Sequence, residues 1–322
     1  MAPTKGAAPT VTVLCGGVGA ARFLRGLLGV VPAESVTAIV NVGDDDVILG
    51  LDVSPDLDTV TYTCAGAIDP ERGWGLGGET WEAISGVRRY AERNGNDLGW
   101  FSLGDRDLAT HLYRTARRRE GATLSEVSAE IAAAWDLGFT LLPATDDALA
   151  TRLLTTGGST LSFQEYFVRE QHGVPIAEVT VVGAPDAAPA PGVLDAITSA
   201  DVVVVAPSNP LLSIDPVLAV PGIREAVASR RSTVVAVSPL VGGAALKGPA
   251  DRLMVELGHT ADNAGIARLY SALASVLVID HVDASDADAV AAAGMTALVA
   301  HTVMSDPERA AALAAATIGS VA

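Results

Sequence analysis

Thr10-Val11-Thr12-Val13-Leu14-Cys15-Gly16-Gly17-Val18-Gly19 is the stretch that decides the fold. A run of β-forming apolar residues ends on glycines, and the helix-like Ala20 to Gly29 follows. Strand, glycine turn and helix form the opening unit of a doubly wound sheet. A second apolar run, Val36 to Val40, reads as the next buried parallel strand. Further strands are expected at Val202 to Val205, Thr233 to Val237, Val276 to Ile279 and Thr296 to Ala300, with helical stretches between them. The fold class is therefore α/β: a doubly wound, mostly parallel Rossmann-like sheet with helices on both faces.

The middle of the chain has a different rhythm. Glu79 to Asn94, Asp105 to Arg119 and Thr123 to Trp135 read as successive helices, the last opening with a Thr123/Glu126 capping box. Ala148 to Thr155 and Thr160 to Arg169 flank Gly157-Gly158-Ser159 and suggest a hairpin. Residues 72–173 are thus expected to form a helical and hairpin lobe inserted into a core of 11–71 and 174–322. Residues 1–10 are expected to be a disordered tail without a signal peptide. Ala184 to Pro191 reads as a surface connection, and a C-terminal helix is expected from Ser305, with Pro307 and Glu308 in its first turn.

Composition narrows the partners. A net charge of −17 argues against general affinity for nucleic acid, because no basic stripe is present to release counterions. No apolar run is long enough to span a bilayer, so no membrane association is expected. Cys15 and Cys64, the only cysteines, have no metal-ligand spacing and fit a reducing cytoplasm as small buried residues. An acidic chain that handles phosphates needs local positive charge or a metal.

Two segments offer such a site. Gly16-Gly17-Val18-Gly19 lets backbone approach a phosphate at a helix N-terminus. It is neither a dinucleotide fingerprint nor a P-loop: Arg22 holds the third glycine position, Asn41 stands where a ribose-binding acid is wanted, and no Gly-Lys-Ser/Thr follows. A plain tight turn is the other reading. Asn41 to Thr59 then carries six aspartates, hard oxygen ligands that suit magnesium shared with substrate phosphates. A solvated acidic loop explains them equally well on chemistry alone. Ser208-Asn209 and Ser238 each follow a predicted strand, where open α/β sheets bind ligands. Arg106, between Asp105 and Asp107 at a helix start, runs against the dipole and calls for a partner elsewhere, while His111 reads as a hydrogen-bonded helix residue.

Taken together, the segments resemble one family, the 2-phospho-lactate and phosphoenolpyruvate transferases of coenzyme F-420 biosynthesis. The resemblance rests on Gly16 to Leu24, Asn41-Val42-Gly43-Asp44-Asp45, Pro55-Asp56-Leu57-Asp58-Thr59, Arg72-Gly73-Trp74-Gly75 and Leu103-Gly104-Asp105-Arg106-Asp107 with Ala109-Thr110-His111. Pro207-Ser208-Asn209-Pro210 and Gly248-Pro249-Ala250-Asp251 complete it. It implies transfer of a phospho-acyl unit from a GDP-activated acid, made by a partner guanylyltransferase, to the primary hydroxyl of the deazaflavin Fo. GMP leaves, magnesium is used, and homodimers are usual.

Carried onto this chain, the resemblance implies Asp44 and Asp58 as catalytic residues and Asp44, Asp45 and Asp58 as magnesium ligands. A carboxylate of the Asp56–Asp58 pair would take the hydroxyl proton. Gly16, Gly17, Val18, Gly19, Ser208, Asn209 and Ser238 would hold the guanosine nucleotide, and Asp56, Asp58, Ser102 and Arg106 would contact Fo. Read as exposed loop residues, the aspartates would contribute little to stability. Fo is expected between the Asp44–Asp58 segment and a lobe that supplies Trp74, Trp81, Trp100 and Phe101. Asp46-Val47, Leu49 and Leu76-Gly77-Gly78 depart from the family pattern near that site. The Arg22-Phe23 form resembles bacterial members and favours a phosphoenolpyruvyl over a phospho-lactyl donor. Rival readings are a nucleotide-sugar-binding regulator of related fold and an NAD-dependent oxidoreductase.

Overall fold

The computed structural model describes residues 8–321. Most of the expected tail lies outside the described residues, and Thr10 is tethered, its N–H and hydroxyl both donating to Asp201 Oδ2 at 2.9 Å. The chain opens with β1 (Val11–Cys15), α1 (Gly17–Leu27), β2 (Val36–Val40), β3 (Asp46–Ile48), β4 (Leu51–Val53) and α2 (Pro55–Cys64). Helices α3 (Glu82–Asn94), α4 (Asp107–Arg119) and α5 (Leu124–Ala134) follow, then β5 (Thr140–Pro143), β6 (Ala150–Thr155), β7 (Thr160–Ser162) and β8 (Ile176–Val182). The next stretch holds α6 (Val193–Ser199), β9 (Val202–Val205), α7 (Asp215–Leu218), α8 (Ile223–Ser229), β10 (Val234–Val237), β11 (Leu240–Val241) and β12 (Ala244–Ala245). The chain closes with α9 (Ala250–Glu256), α10 (Asn263–Tyr270), β13 (Val276–Asp280), α11 (Ala287–Ala292), β14 (Thr296–Ala300) and α12 (Pro307–Gly319).

Seven strands form the main sheet in the order β14-β13-β10-β9-β1-β2-β5, every pair parallel. Every residue of β1, β9 and β10 is buried, as expected for strands covered on both faces. From β1 the chain winds one way through β2 to β5 and later the other way through β9 to β14. The switch point lies between β1 and β9, where such sheets open a crevice at their carboxyl ends.

Strand pairing differs from the expected lobe boundaries in two places. Thr140–Pro143, inside 72–173, joins the main sheet beside β2. Short and ending in proline, it gives little strand signal, and its edge position tolerates the missing N–H. Ile176–Val182, placed with the core, instead pairs antiparallel with β6 in a separate β7-β6-β8 sheet. The second hairpin strand also stops at Ser162, because residues 165–169 coil into a π-helical turn that buries Tyr166 and stacks Phe163 on Phe167 at 5.4 Å. The 184–191 connection is not purely superficial, since Ala184, Ala187 and Ala190 are small enough to pack into the core.

Candidate active site at the strand switch point

The glycine turn and the turn after β9 interlock. Ser208 Oγ donates to Gly16 O at 2.7 Å, and a β-carbon on Gly19 would collide with Pro207 O. The first turn of α1 therefore lies flat on the neighbouring strand end with its N–H groups directed into the crevice. Asn209 Oδ1 accepts from Leu211 N and Leu212 N at 3.0 and 3.2 Å, and buried Ser238 Oγ donates to Asn263 Oδ1 at 2.7 Å. Gly16 to Gly19, Ser208, Asn209 and Ser238 thus sit at three adjacent strand ends, with the Asn209 and Ser238 side chains already engaged in holding turns.

The aspartate segment is not an exposed loop. Asp44 and Asp45 sit in the turn after β2, a β3–β4 hairpin and α2 follow, and Asp44, Asp56 and Asp58 are all buried. This corrects the expectation that these aspartates are exposed. Asp56 faces the glycine turn: it accepts from Gly17 N–H, and its Oδ2 accepts from Asn41 Nδ2 at 3.0 Å. Burial pushes Asp56 up to about 6 despite those two hydrogen bonds. Burial, reinforced by the Asp56 charge, holds Asp44 well above the carboxylate range, and burial does the same to Asp45 although Ser54 donates to it at 2.7 Å. Asp44 Oδ1 and Asp45 Oδ1 are buried with no hydrogen-bond partner. Orphaned hard oxygens close to a glycine turn at a helix N-terminus fit a divalent cation such as magnesium.

Asp58 faces the other way, towards α4. Arg114, 2% exposed, grips both its oxygens, one through Nη1 at 3.1 Å and the other through Nη2. His111 Nδ1 lies 3.8 Å from Asp58 Oδ2, and His111 Nε2 lies 3.3 Å from Asp107 Oδ2. Tyr62 donates to Asp107 Oδ1 at 2.6 Å. Burial works to raise Asp107, but hydrogen bonds from His111 and Tyr62 prevail and hold it below the ordinary value. Ligand atoms of Asp58, Asp107 and His111 lie within 4.8 Å of one another, a spacing compatible with a divalent metal. A cation there would face Arg114 Nη1, 3.4 Å from His111 Nδ1 and bonded to Asp58, so the fit is poorer than at Asp44, which lies on the Asp56 side. Sequence reasoning missed Arg114, although Asp107, His111 and Arg114 share one helix face at i, i+4 and i+3 spacing.

The expected acceptor residues are occupied structurally. Ser102 Oγ accepts from Arg88 Nη2 at 2.7 Å, and exposed Arg106 donates from Nη1 to Gly77 O. Asp105 does not cap its own helix. It accepts from Glu82 N and Ala83 N at the start of α3, while Glu79 accepts from Arg106 N and Asp107 N at the start of α4. The two helices exchange caps, and the Tyr62–Asp107 and Asp58–Arg114 contacts tie α4 to α2. A cavity of about 520 Å³ opens between this lobe and the hairpin, lined among others by Val47, Leu49, Leu98, Trp100 and Arg169. The Arg169 guanidinium lies 4.6 Å over the Trp100 ring. Trp74 and Trp81 pack edge to face elsewhere, with Arg72 over both.

Fold and site together define a doubly wound α/β protein with a glycine turn and buried carboxyl groups gathered at the switch point. The family model described as 2-phospho-L-lactate transferase CofD matches residues 11–318. A phosphoenolpyruvate transferase of Streptomyces griseus is 44% identical over 308 residues, covering 94% of this chain and 96% of that protein. One from Kitasatospora aureofaciens is 43% identical, covering 94% and 95%. The chain belongs to the 2-phospho-L-lactate transferase family and is a transferase enzyme. A crystal structure of a UPF0052 family member from Bacillus halodurans shares the fold, with a TM-score of 0.63 at 18% identity, covering 97% of this chain and 100% of that one. Among the described residues, no helix is long and apolar enough to cross a membrane.

Proposed function

We propose that this chain moves a phosphoenolpyruvyl unit, or in the alternative a 2-phospho-L-lactyl unit, from a GDP-activated donor to the primary hydroxyl of Fo in coenzyme F-420 biosynthesis, releasing GMP. The observation that carries this reading is a buried carboxyl cluster, Asp44, Asp45 and Asp56, in which Asp56 accepts from the Gly17 N–H while Asp44 Oδ1 and Asp45 Oδ1 have no hydrogen-bond partner. Such a transfer is mostly positioning and charge neutralisation.

N–H groups of Val18 and Gly19 would hold the donor diphosphate at the start of α1, the Gly17 N–H being taken by Asp56. Asp44 and Asp45, with the orphaned oxygens, would hold magnesium, which when bound supplies charge neutralisation on the donor phosphates. Asp56, with a pKa of about 6, is poised to accept the proton of the attacking hydroxyl near neutral pH. Asp58 would act differently from the expectation: locked to Arg114, it anchors α2 so that Asp56 meets the glycine turn. Fo fits the cavity between hairpin and lobe, where Val47, Leu49 and Trp100 offer apolar walls and the Arg169 cation stacks on Trp100. A homodimer and a cytoplasmic setting accompany this reading.

The test is incubation with Fo, GTP, a partner guanylyltransferase and each phospho-acid in turn, followed by mass measurement. One product should exceed Fo by the phospho-acyl mass, with GMP released in equal amount. No adduct with either acid would refute the reading and favour a binding protein without turnover.

A further inference from the structure

We infer that Lys247 is a donor-binding residue, closing over the glycine turn to hold an anionic group, phosphate or carboxylate, of the substrate. The inference rests on the transferase reading above. The chain has two lysines among 21 basic residues, and Lys247 is the only one among the described residues. It follows the β11–β12 hairpin, which rises from Ser238 at the end of β10 and is pinned by Gly242 N–H donating to both Asp283 oxygens at 3.0 Å. The chain then returns past Phe167, 3.8 Å from where a β-carbon on Gly248 would lie, to buried Pro249 and Ala250.

From this strap the Lys247 ammonium reaches the 69–78 turn. A β-carbon on Gly73 would sit 3.0 Å from Lys247 Nζ and 3.8 Å from Val18 Cγ1. Gly73 has φ +75°, so conformation and crowding both require glycine there. The ammonium is thereby brought beside the first turn of α1. Among the described residues it makes no ion pair or hydrogen bond, in a chain with 38 carboxylates. A cation beside the positive end of a helix is repelled unless an anion lies between them. Phosphate or carboxylate oxygens held by the Val18 and Gly19 N–H groups would meet that need, and a flexible lysine suits a phosphate as a point charge.

The test compares wild type, Lys247→Ala and Lys247→Arg by calorimetric GDP binding and by donor KM and kcat. Lys247 is exposed and unpaired, so the alanine variant should melt with wild type. It should weaken GDP binding or raise donor KM by about tenfold or more, leaving kcat within about threefold, and arginine should restore most of the loss. Weakened GDP binding assigns the contact to a phosphate. A raised donor KM with normal GDP binding assigns it to the carboxylate of the acid. Both constants within about twofold of wild type, with product still formed, would overturn the role of Lys247 alone. A wild type that neither binds GDP nor forms product would overturn this inference and the transferase reading together.

Discussion

Asp56 and Asp58 stand two residues apart in the first turn of α2, both buried, yet in opposite surroundings. Residues at i and i+2 of a helix point to nearly opposite sides. Asp56 therefore meets the Gly17 N–H and the Asp44 carboxylate, whereas Asp58 meets Arg114 and the His111–Asp107 pair. In the first set, burial disfavours the charged forms of Asp44 and Asp56. The second is neutralised by a buried guanidinium. One acidic motif thus splits into a half beside the glycine turn, the candidate for ligand binding, and a half locked into an ion pair.

The sharpest way to break this division is Arg114→Met. Leaving Asp58 buried and unpaired should cost about 3–5 kcal/mol in urea unfolding, and adding Asp58→Leu should restore most of it. A loss below about 1 kcal/mol would mean that Asp58 is not structural after all. The halves should also respond oppositely to pH. Asp56 is raised to about 6, so its stabilising effect is complete below the ordinary carboxyl pKa and is lost as pH rises through about 6. For Asp56 alone the metal-free protein should lose up to about 3 kcal/mol on that rise, and magnesium should flatten the slope. Asp107, held low, contributes above the ordinary value and loses its contribution only as pH falls through its folded value. Melting curves from pH 2 to 8, with and without magnesium, read both. A slope unchanged by magnesium would contradict cation binding by the first set.

Asp44→Asn should reduce turnover about a hundredfold or more while leaving metal-free stability equal or higher, because it removes a carboxyl whose ionisation burial and the Asp56 charge oppose. Activity within a few fold of wild type would take Asp44 out of the mechanism. The smallest effect concerns the hairpin that joins the two sets. Leu49 turns it with φ +54°, a conformation costly for a branched side chain. Leu49→Gly should gain about 1 kcal/mol in thermal or urea unfolding and leave the pH slope unchanged. A loss of stability would instead show that the Leu49 side chain holds the hairpin in place.

The sequence alone determined the valine-rich strands of the main sheet and the strand–glycine–helix junction, because these are local matters. A valine run, a strand–glycine–helix junction and a capping box are legible within a dozen residues. Thr140–Pro143 was not, since four residues ending in proline become a strand only when β2 is there to pair with them. Nor could the Asp105 cap be assigned: its partners, Glu82 and Ala83, lie on another helix. Only the tertiary structure separated Asp56 from Asp58. A carboxylate's role depends on which charges share its low-dielectric surroundings. For Asp58 that charge is Arg114, 56 residues away along the chain, and no local pattern encodes such a meeting.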